Sequence, residues 1–177
     1  MTTTLILDGD DRGAGTALDR AIVALAAELP GATRLRLAGL TLHQCVGCFG
    51  CWVQTPGRCR LRDDGAQIVA AAAAAELIVF AAPMRMGFTS ALLKRATDRL
   101  IPIALPYIDL VDGECHHRLR YGRPLDLALL VEPGDASAEE LAATEAVYRR
   151  FARNLHGRLR FVRTVAATEV RDALHAA

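Results

Sequence analysis

Leu77-Ile78-Val79-Phe80-Ala81-Ala82-Pro83 is an unbroken apolar run that ends on a proline. A run without polar alternation marks a strand buried on both faces, as in a parallel sheet covered by helices. Upstream, Thr4-Leu5-Ile6-Leu7-Asp8 reads the same way, and downstream residues 125–131 repeat the pattern. Residues 160–166 supply a further strand, and residues 33–37, polar at alternate positions, read as an edge strand. Helical spacing fills the gaps. Leu18, Ile22, Leu25 and Ala26 share one face of residues 17–29, which Pro30-Gly31 stops. Asp63 or Asp64 caps a second helix over 66–75. A third covers 89–100, and a fourth covers 137–155 with Glu139 and Glu140 in its first turn. A short helix closes the chain, and residues 107–124 read as a polar insertion rich in His and Arg.

Alternating strands and helices predict an α/β domain. Five strands fit a flavodoxin-like doubly wound parallel sheet, order 2-1-3-4-5, with helices on both faces. The whole of 1–177 is then one domain with a cysteine loop at about 41–62. Such sheets bind ligands beyond the carboxyl ends of their strands, at the switch point beside strand one. Loops 9–16, 83–88 and 132–136 are expected to meet there, and the cysteine loop to emerge at the same rim.

Composition removes several function classes. The 177 residues are 52% hydrophobic, 5% aromatic and carry a formal charge of +1, with no basic face for nucleic acid or an anionic membrane. The longest apolar run, 68–82, is broken by Glu76 and is short of the ~20 residues that span a bilayer. The N-terminus has no basic leader region, so a cytoplasmic protein is expected. No Walker loop is present, and Ser90 has no evident His–Asp partnership, so neither an NTPase nor a hydrolase is indicated.

The strongest motif is Cys45-Val-Gly-Cys48-Phe-Gly-Cys51, with Cys59 following a Pro56-Gly57 turn. Three thiolates on one tight loop, freed by Gly47 and Gly50, suit an iron–sulfur cluster. Four thiolates also suit tetrahedral zinc, and unligated thiols are the third reading. The pattern Cys-x-Gly-Cys-x-x-Cys-Trp…Thr-Pro-Gly-x-Cys…Asp-Asp, then Leu-Ile-Val-Phe-Ala-Ala-Pro and Ser-Ala-Leu-Leu-Lys…Asp-Arg, resembles the NADPH-dependent FMN reductase superfamily. The cysteine spacing resembles its iron–sulfur flavoproteins. The resemblance covers about residues 4–100. It implies FMN at the strand carboxyl ends, NAD(P)H as donor, and a 4Fe-4S cluster on Cys45, Cys48, Cys51 and Cys59. It further implies a homodimer or tetramer that passes electrons to a redox partner protein or a small-molecule acceptor.

The resemblance also assigns flavin contacts. Gly9, Arg12, Gly13, Gly15 and Thr16 fall where the family holds the FMN phosphate, and Pro83, Met84, Arg85, Met86, Gly87 and Phe88 where it meets the isoalloxazine. The chain departs from the family pattern at Asp10 and Asp11, at Arg85 in place of a tyrosine, and at Glu132 and Asp135. A carboxylate near a phosphate dianion is repelled by about 1 kcal/mol per charge pair even in water. The alternative is therefore a degenerate flavodoxin-like domain without FMN. It would keep a metal-binding or structural cysteine loop and act as a binding or accessory subunit. No catalytic acid is assigned. Cys115-His116-His117-Arg118 reads as a solvated insertion or dimer contact in preference to a metal or acid–base group, and Arg118, Arg120 and Arg123 as partners for an NADPH phosphate or for nearby acids. His43 reads as a loop residue, Asp98-Arg99 as an ion pair at a helix end, and the apolar 100–111 stretch as a partner surface.

Overall fold

A computed structural model of the chain describes residues 3–29, 31–111 and 113–165; Pro30 and the closing helix lie outside them. In chain order the elements are β1 (Thr4–Asp8), α1 (Ala17–Glu28), β2 (Thr33–Arg36), α2 (Gly50–Val53), α3 (Gly65–Ala74) and β3 (Leu77–Arg85). There follow β4 (Phe88–Thr89), α4 (Ala91–Asp98), β5 (Ala104–Val111), β6 (Glu114–Leu119), β7 (Asp126–Glu132), α5 (Ala138–Asn154) and β8 (Leu159–Thr164). The parallel sheet runs β2-β1-β3-β7-β8, the order read from the sequence.

Period-two alternation decides what each face buries. Leu5, Leu7, Ile78, Phe80, Leu127 and Leu129 face a cluster completed by α3, α4 and α5. Ile6, Val79, Ala81, Ala128 and Leu130 face Leu18, Ile22 and Leu25 of α1. Phe80 is wholly buried and lies 5.2 Å from the Tyr148 ring and 5.8 Å from that of Phe151. Burying a side chain of this size contributes about 1.5–3 kcal/mol.

Three boundaries differ from the sequence reading. The third helix starts at Ala91 because Ser90 is its N-cap, accepting from the Leu93 amide at 3.3 Å. Residues 84 and 85 extend β3, and Phe88 and Thr89 return antiparallel onto them. The turn between is the two-residue Met86-Gly87, with φ of 50° and 75°, the positive values a tight hairpin needs. The polar insertion is a two-stranded ribbon of β5 and β6, and its first strand begins at Ala104. Ile108 and Leu110 carry the period-two signal that the prolines at 102 and 106 obscure.

The expected Asp98–Arg99 pair does not form. Asp98 accepts from Lys94 one turn back at 2.5 Å, because that pair sits on the solvated face of α4. Arg99 turns inward instead and meets Asp63 through two parallel bonds of 2.7 Å each, both side chains closed to solvent. A third guanidinium bond, 2.7 Å, goes to the His43 carbonyl. Asp63 also accepts from the His43 amide at 2.9 Å and from the Gly65 amide at 3.0 Å. The start of α3, the end of α4 and the entry to the cysteine loop are thereby locked together. Gly65 must be glycine, since a Cβ there would overlap the Arg99 guanidinium.

The Arg99 bonds hold the Asp63 carboxyl well below the usual carboxylate range. A carboxyl depressed on folding stabilises fully above its unfolded pKa of about 3.9 and loses that contribution as pH falls through the folded value. Stability measured by urea unfolding is expected to be flat near neutrality on this account and to decline below about pH 4. Asp63→Asn leaves a buried guanidinium without its counter-charge and should cost about 3–5 kcal/mol at pH 7. A loss under 1 kcal/mol would show that the pair is not buried in solution.

Candidate functional site

Loop one follows β1 and is tied down at both ends. The Gly9 amide donates to the Ala81 carbonyl at 2.8 Å, and the Gly9 carbonyl accepts from Ser90 Oγ at 2.9 Å. At the other end Thr16 caps α1, accepting from the Asp19 amide at 2.9 Å. Gly13 and Gly15, with φ of 96° and 84°, provide the left-handed turns that bring the chain round.

A carboxylate fills the centre of this loop. The Asp10 side chain is 1% exposed. It accepts from the Arg12 amide at 3.1 Å, Arg12 Nε at 2.8 Å, Arg12 Nη2 at 3.0 Å and Thr16 Oγ1 at 2.7 Å. Burial opposes its charge, but the bonds from Arg12 and Thr16 outweigh burial and hold its pKa below the ordinary value. The Arg12 guanidinium also pairs with Glu132 at the end of β7. Beside this group Asp8, fully buried, takes two bonds from Arg34 of β2 at 3.0 and 2.7 Å. Arg34 continues to Asp19 at 2.5 Å, and Asp19 accepts the Gly15 amide at 2.7 Å.

The phosphate end of FMN does not fit these residues. Of the groups assigned to it, the Arg12 and Thr16 side chains and the Gly15 amide are spent on Asp10, Glu132 and Asp19, and the Gly9 amide on the Ala81 carbonyl. Of the flavin-ring assignments, Pro83 lies in β3 paired with Glu132. Met84 is buried in the core, and Phe88 stacks on Tyr148 at 6.2 Å. Arg85 and Met86 form the exposed tip, and Glu140 of α5 comes against the half-buried Gly87, within 2.5 Å of where a Cβ would stand. Arg85 has no hydrogen-bond or ion-pair partner among the described residues.

The cysteine loop is not at this rim. Arg95 and Arg99 of α4 draw it down by bonds of 3.0 Å to the Leu42 carbonyl and 2.7 Å to the His43 carbonyl. Trp52 Nε1 then donates to the Ala104 carbonyl at 3.0 Å. Cys45, Gly47 and Trp52 line a cavity of about 410 Å³ with Leu100, His117 and Leu155. Leu155 bonds the amide of Leu125, just before β7, so the cavity marks the amino side of the sheet. All five cysteines are free thiols. Burial pushes the Cys51 thiol up, and Cys59, Cys45 and Cys48 nearby add to it. Even so, among the described residues no three His, Cys, Asp or Glu side chains are grouped to hold a metal ion. The structure therefore shows no ligand group for a single ion such as zinc among these residues and gives no support to the expected 4Fe-4S cluster. Cys48 faces solvent, Cys51 belongs to the short α2, and Cys59 turns to Arg99.

No family model matches the chain, and no curated protein matches it in sequence. Solved structures do match in shape. An FMN-dependent NADH-azoreductase from Bacillus anthracis in complex with FMN aligns with TM-score 0.63 at 13% identity, over 98% of this chain and 91% of its own. An NAD(P)H:quinone oxidoreductase from Methanothermobacter marburgensis gives 0.61 at 14%, over 93% and 82%. The Trp repressor binding protein from Bacillus subtilis gives 0.57 at 12%, over 97% and 88%. The chain has the flavodoxin-like fold.

The other candidates of this flavodoxin-like domain are occupied by structure. Arg118 pairs with Asp109 at 2.6 Å, Arg120 donates to the Pro102 carbonyl at 2.8 Å, and Arg123 to that of Ala73. His116, expected in a solvated insertion, is buried between Asn154 at 2.8 Å and Glu114 at 3.0 Å, because it fastens the ribbon to α5. His117 packs its ring 5.0 Å from Trp52. His43 approaches Asp63 at 3.1 Å. No helix among the described residues is long and apolar enough to cross a membrane. Sequence reading missed Asp8, Asp19 and Arg34 as rim residues. The only available signal was a buried strand ending in Asp opposite an edge-strand arginine.

Gly9 is closely packed between α4 and β3. A Cβ there would stand 2.7 Å from Leu93 Cβ and 3.3 Å from the Ala81 carbonyl oxygen. Gly9→Ala should cost about 1–3 kcal/mol by overpacking, read as a lowered Tm. An unchanged Tm would mean that loop one is not pressed against α4.

Proposed function

We propose that this chain is an NAD(P)H-dependent flavin oxidoreductase, with the ring end of a flavin held at the carboxyl rim beside residues 83–88. The observation that carries the reading is the crossover between β1 and β3, which opens loop one against the Met86-Gly87 turn at the switch point of the sheet. The names of the azoreductase and the quinone oxidoreductase support it. Arg85 brings an exposed, unpaired guanidinium to that turn, a charge suited to an electron-rich ring. The acceptor is a small molecule or a redox partner protein. A second copy would meet the chain on the ribbon, where Tyr107, Ile108 and Leu110 are exposed. The cysteine loop has no part in this reading, since it lies at the other side of the sheet.

A second reading, a flavin-free accessory domain, is favoured by the spent donors around Asp10. Flavin fluorescence titrations with riboflavin and with FMN separate the two. Quenching by either flavin, together with NAD(P)H oxidation in the presence of a quinone, supports the oxidoreductase. No quenching by either leaves the accessory domain. Arg85→Ala is expected to lower flavin affinity about tenfold without changing Tm. Cys48→Ser with Cys51→Ser should leave the NAD(P)H oxidation rate within twofold of wild type. A larger loss in that double variant would return the thiols to the chemistry.

A further inference from the structure

We propose that Asp10 is a built-in anion at the phosphate position of the rim, and that it selects a flavin ending in a free hydroxyl, riboflavin, over one ending in phosphate. This deepens the flavin reading above and rests on it. Four groups on the loop donate to the Asp10 carboxylate: the Arg12 amide, Arg12 Nε, Arg12 Nη2 and Thr16 Oγ1. These are the kinds of donor that cradle a phosphate, and here they converge on a carboxylate that belongs to the chain. A covalently attached anion holds the position at very high effective concentration, so a free phosphate competes poorly for the same donors.

The surrounding charge points the same way. Loops one and three carry the carboxylates of Asp10, Asp11, Glu132 and Asp135 against two guanidiniums, that of Arg12 and that of Arg20, which donates to the Gly15 carbonyl at 2.7 Å. The neighbouring Asp8, Asp19 and Arg34 are bonded to one another and offer nothing further. A phosphate dianion would enter a field of its own sign. An uncharged ribityl hydroxyl does not, and it can donate to the Glu132 carboxylate, which takes only the Arg12 bond among the described residues. Asp10 is thus a specificity residue acting through loop one.

Equilibrium titration of the full chain with riboflavin and with FMN, followed by flavin fluorescence and repeated at two salt concentrations, tests this. Wild type should bind riboflavin at least tenfold more tightly than FMN. Asp10→Asn keeps the shape and removes the charge, and should shift that ratio at least tenfold toward FMN, with the new FMN affinity falling as salt rises. Asp11 is exposed, so Asp11→Asn folds regardless and should shift the ratio in the same direction by about twofold. FMN bound as tightly as riboflavin by wild type overturns the selectivity while leaving the flavin reading intact. An unchanged ratio in folded Asp10→Asn does the same. Absence of binding by either flavin to every variant overturns both.

Discussion

The ion pair between Arg99 and Asp63 is the contact on which the arrangement of this domain depends. A buried guanidinium is tolerable only when its charge is met, and here Asp63 supplies the counter-charge while Asp63 and the His43 carbonyl take the two Nη groups, leaving Nε buried without a partner. The consequence is geometric. The chain leaving β2 cannot stay at the carboxyl rim, because His43 must reach the end of α4. Arg95 takes the Leu42 carbonyl on the way, so two arginines one helical turn apart carry the loop down the helix. The four clustered cysteines therefore lie toward the opposite end of the sheet from the carboxyl-rim loops. A strand of five residues spans roughly 17 Å, and that separation removes direct contact between the two motifs that most attract notice in the sequence.

At the rim the same chemistry works in a different way. Asp8, Asp10 and Asp19 would each be costly as isolated buried or half-buried carboxylates. Arg34 and Arg12 neutralise them, and backbone amides from Gly15 and Arg12 complete the bonding. A network satisfied within the protein is rigid and stable, but its donors are no longer available to a ligand. In loop one the donors of Arg12 and Thr16 converge on a carboxylate of the chain itself.

The fold was legible because burial leaves a period in sequence. The apolar runs 77–82 and 125–131 and the helical stripe Leu18, Ile22, Leu25 state which faces are covered, and the strand order followed. The ribbon of β5 and β6 was hidden because one proline stands just before its first strand and another, Pro106, inside it, and because His116, a residue usually solvated, is buried there by Asn154 and Glu114. Side-chain pairing was legible only where partners are local. Lys94–Asp98 follows from spacing on a helix, whereas Arg99–Asp63 joins positions 36 apart and leaves no local trace. The cysteine spacing was legible as a motif, but its location was not, since that was decided by Arg95 and Arg99.

Fold and site consequently carry different weight for function. The fold is shared with enzymes that are only 13–14% identical to this chain, and with a protein named for binding a repressor. An architecture held in common by such proteins fixes where a ligand can lie, beyond the carboxyl ends at the crossover, without fixing which ligand lies there. That choice falls to the few side chains at the loop tips. Here they divide into two sets with opposite demands. The Met86-Gly87 turn presents the unpaired cation of Arg85, while loops one and three present carboxylates. The two sets favour a ligand that is electron-rich at one end and free of negative charge at the other, and this polarity constrains the chemistry of the site more tightly than the likeness of its fold.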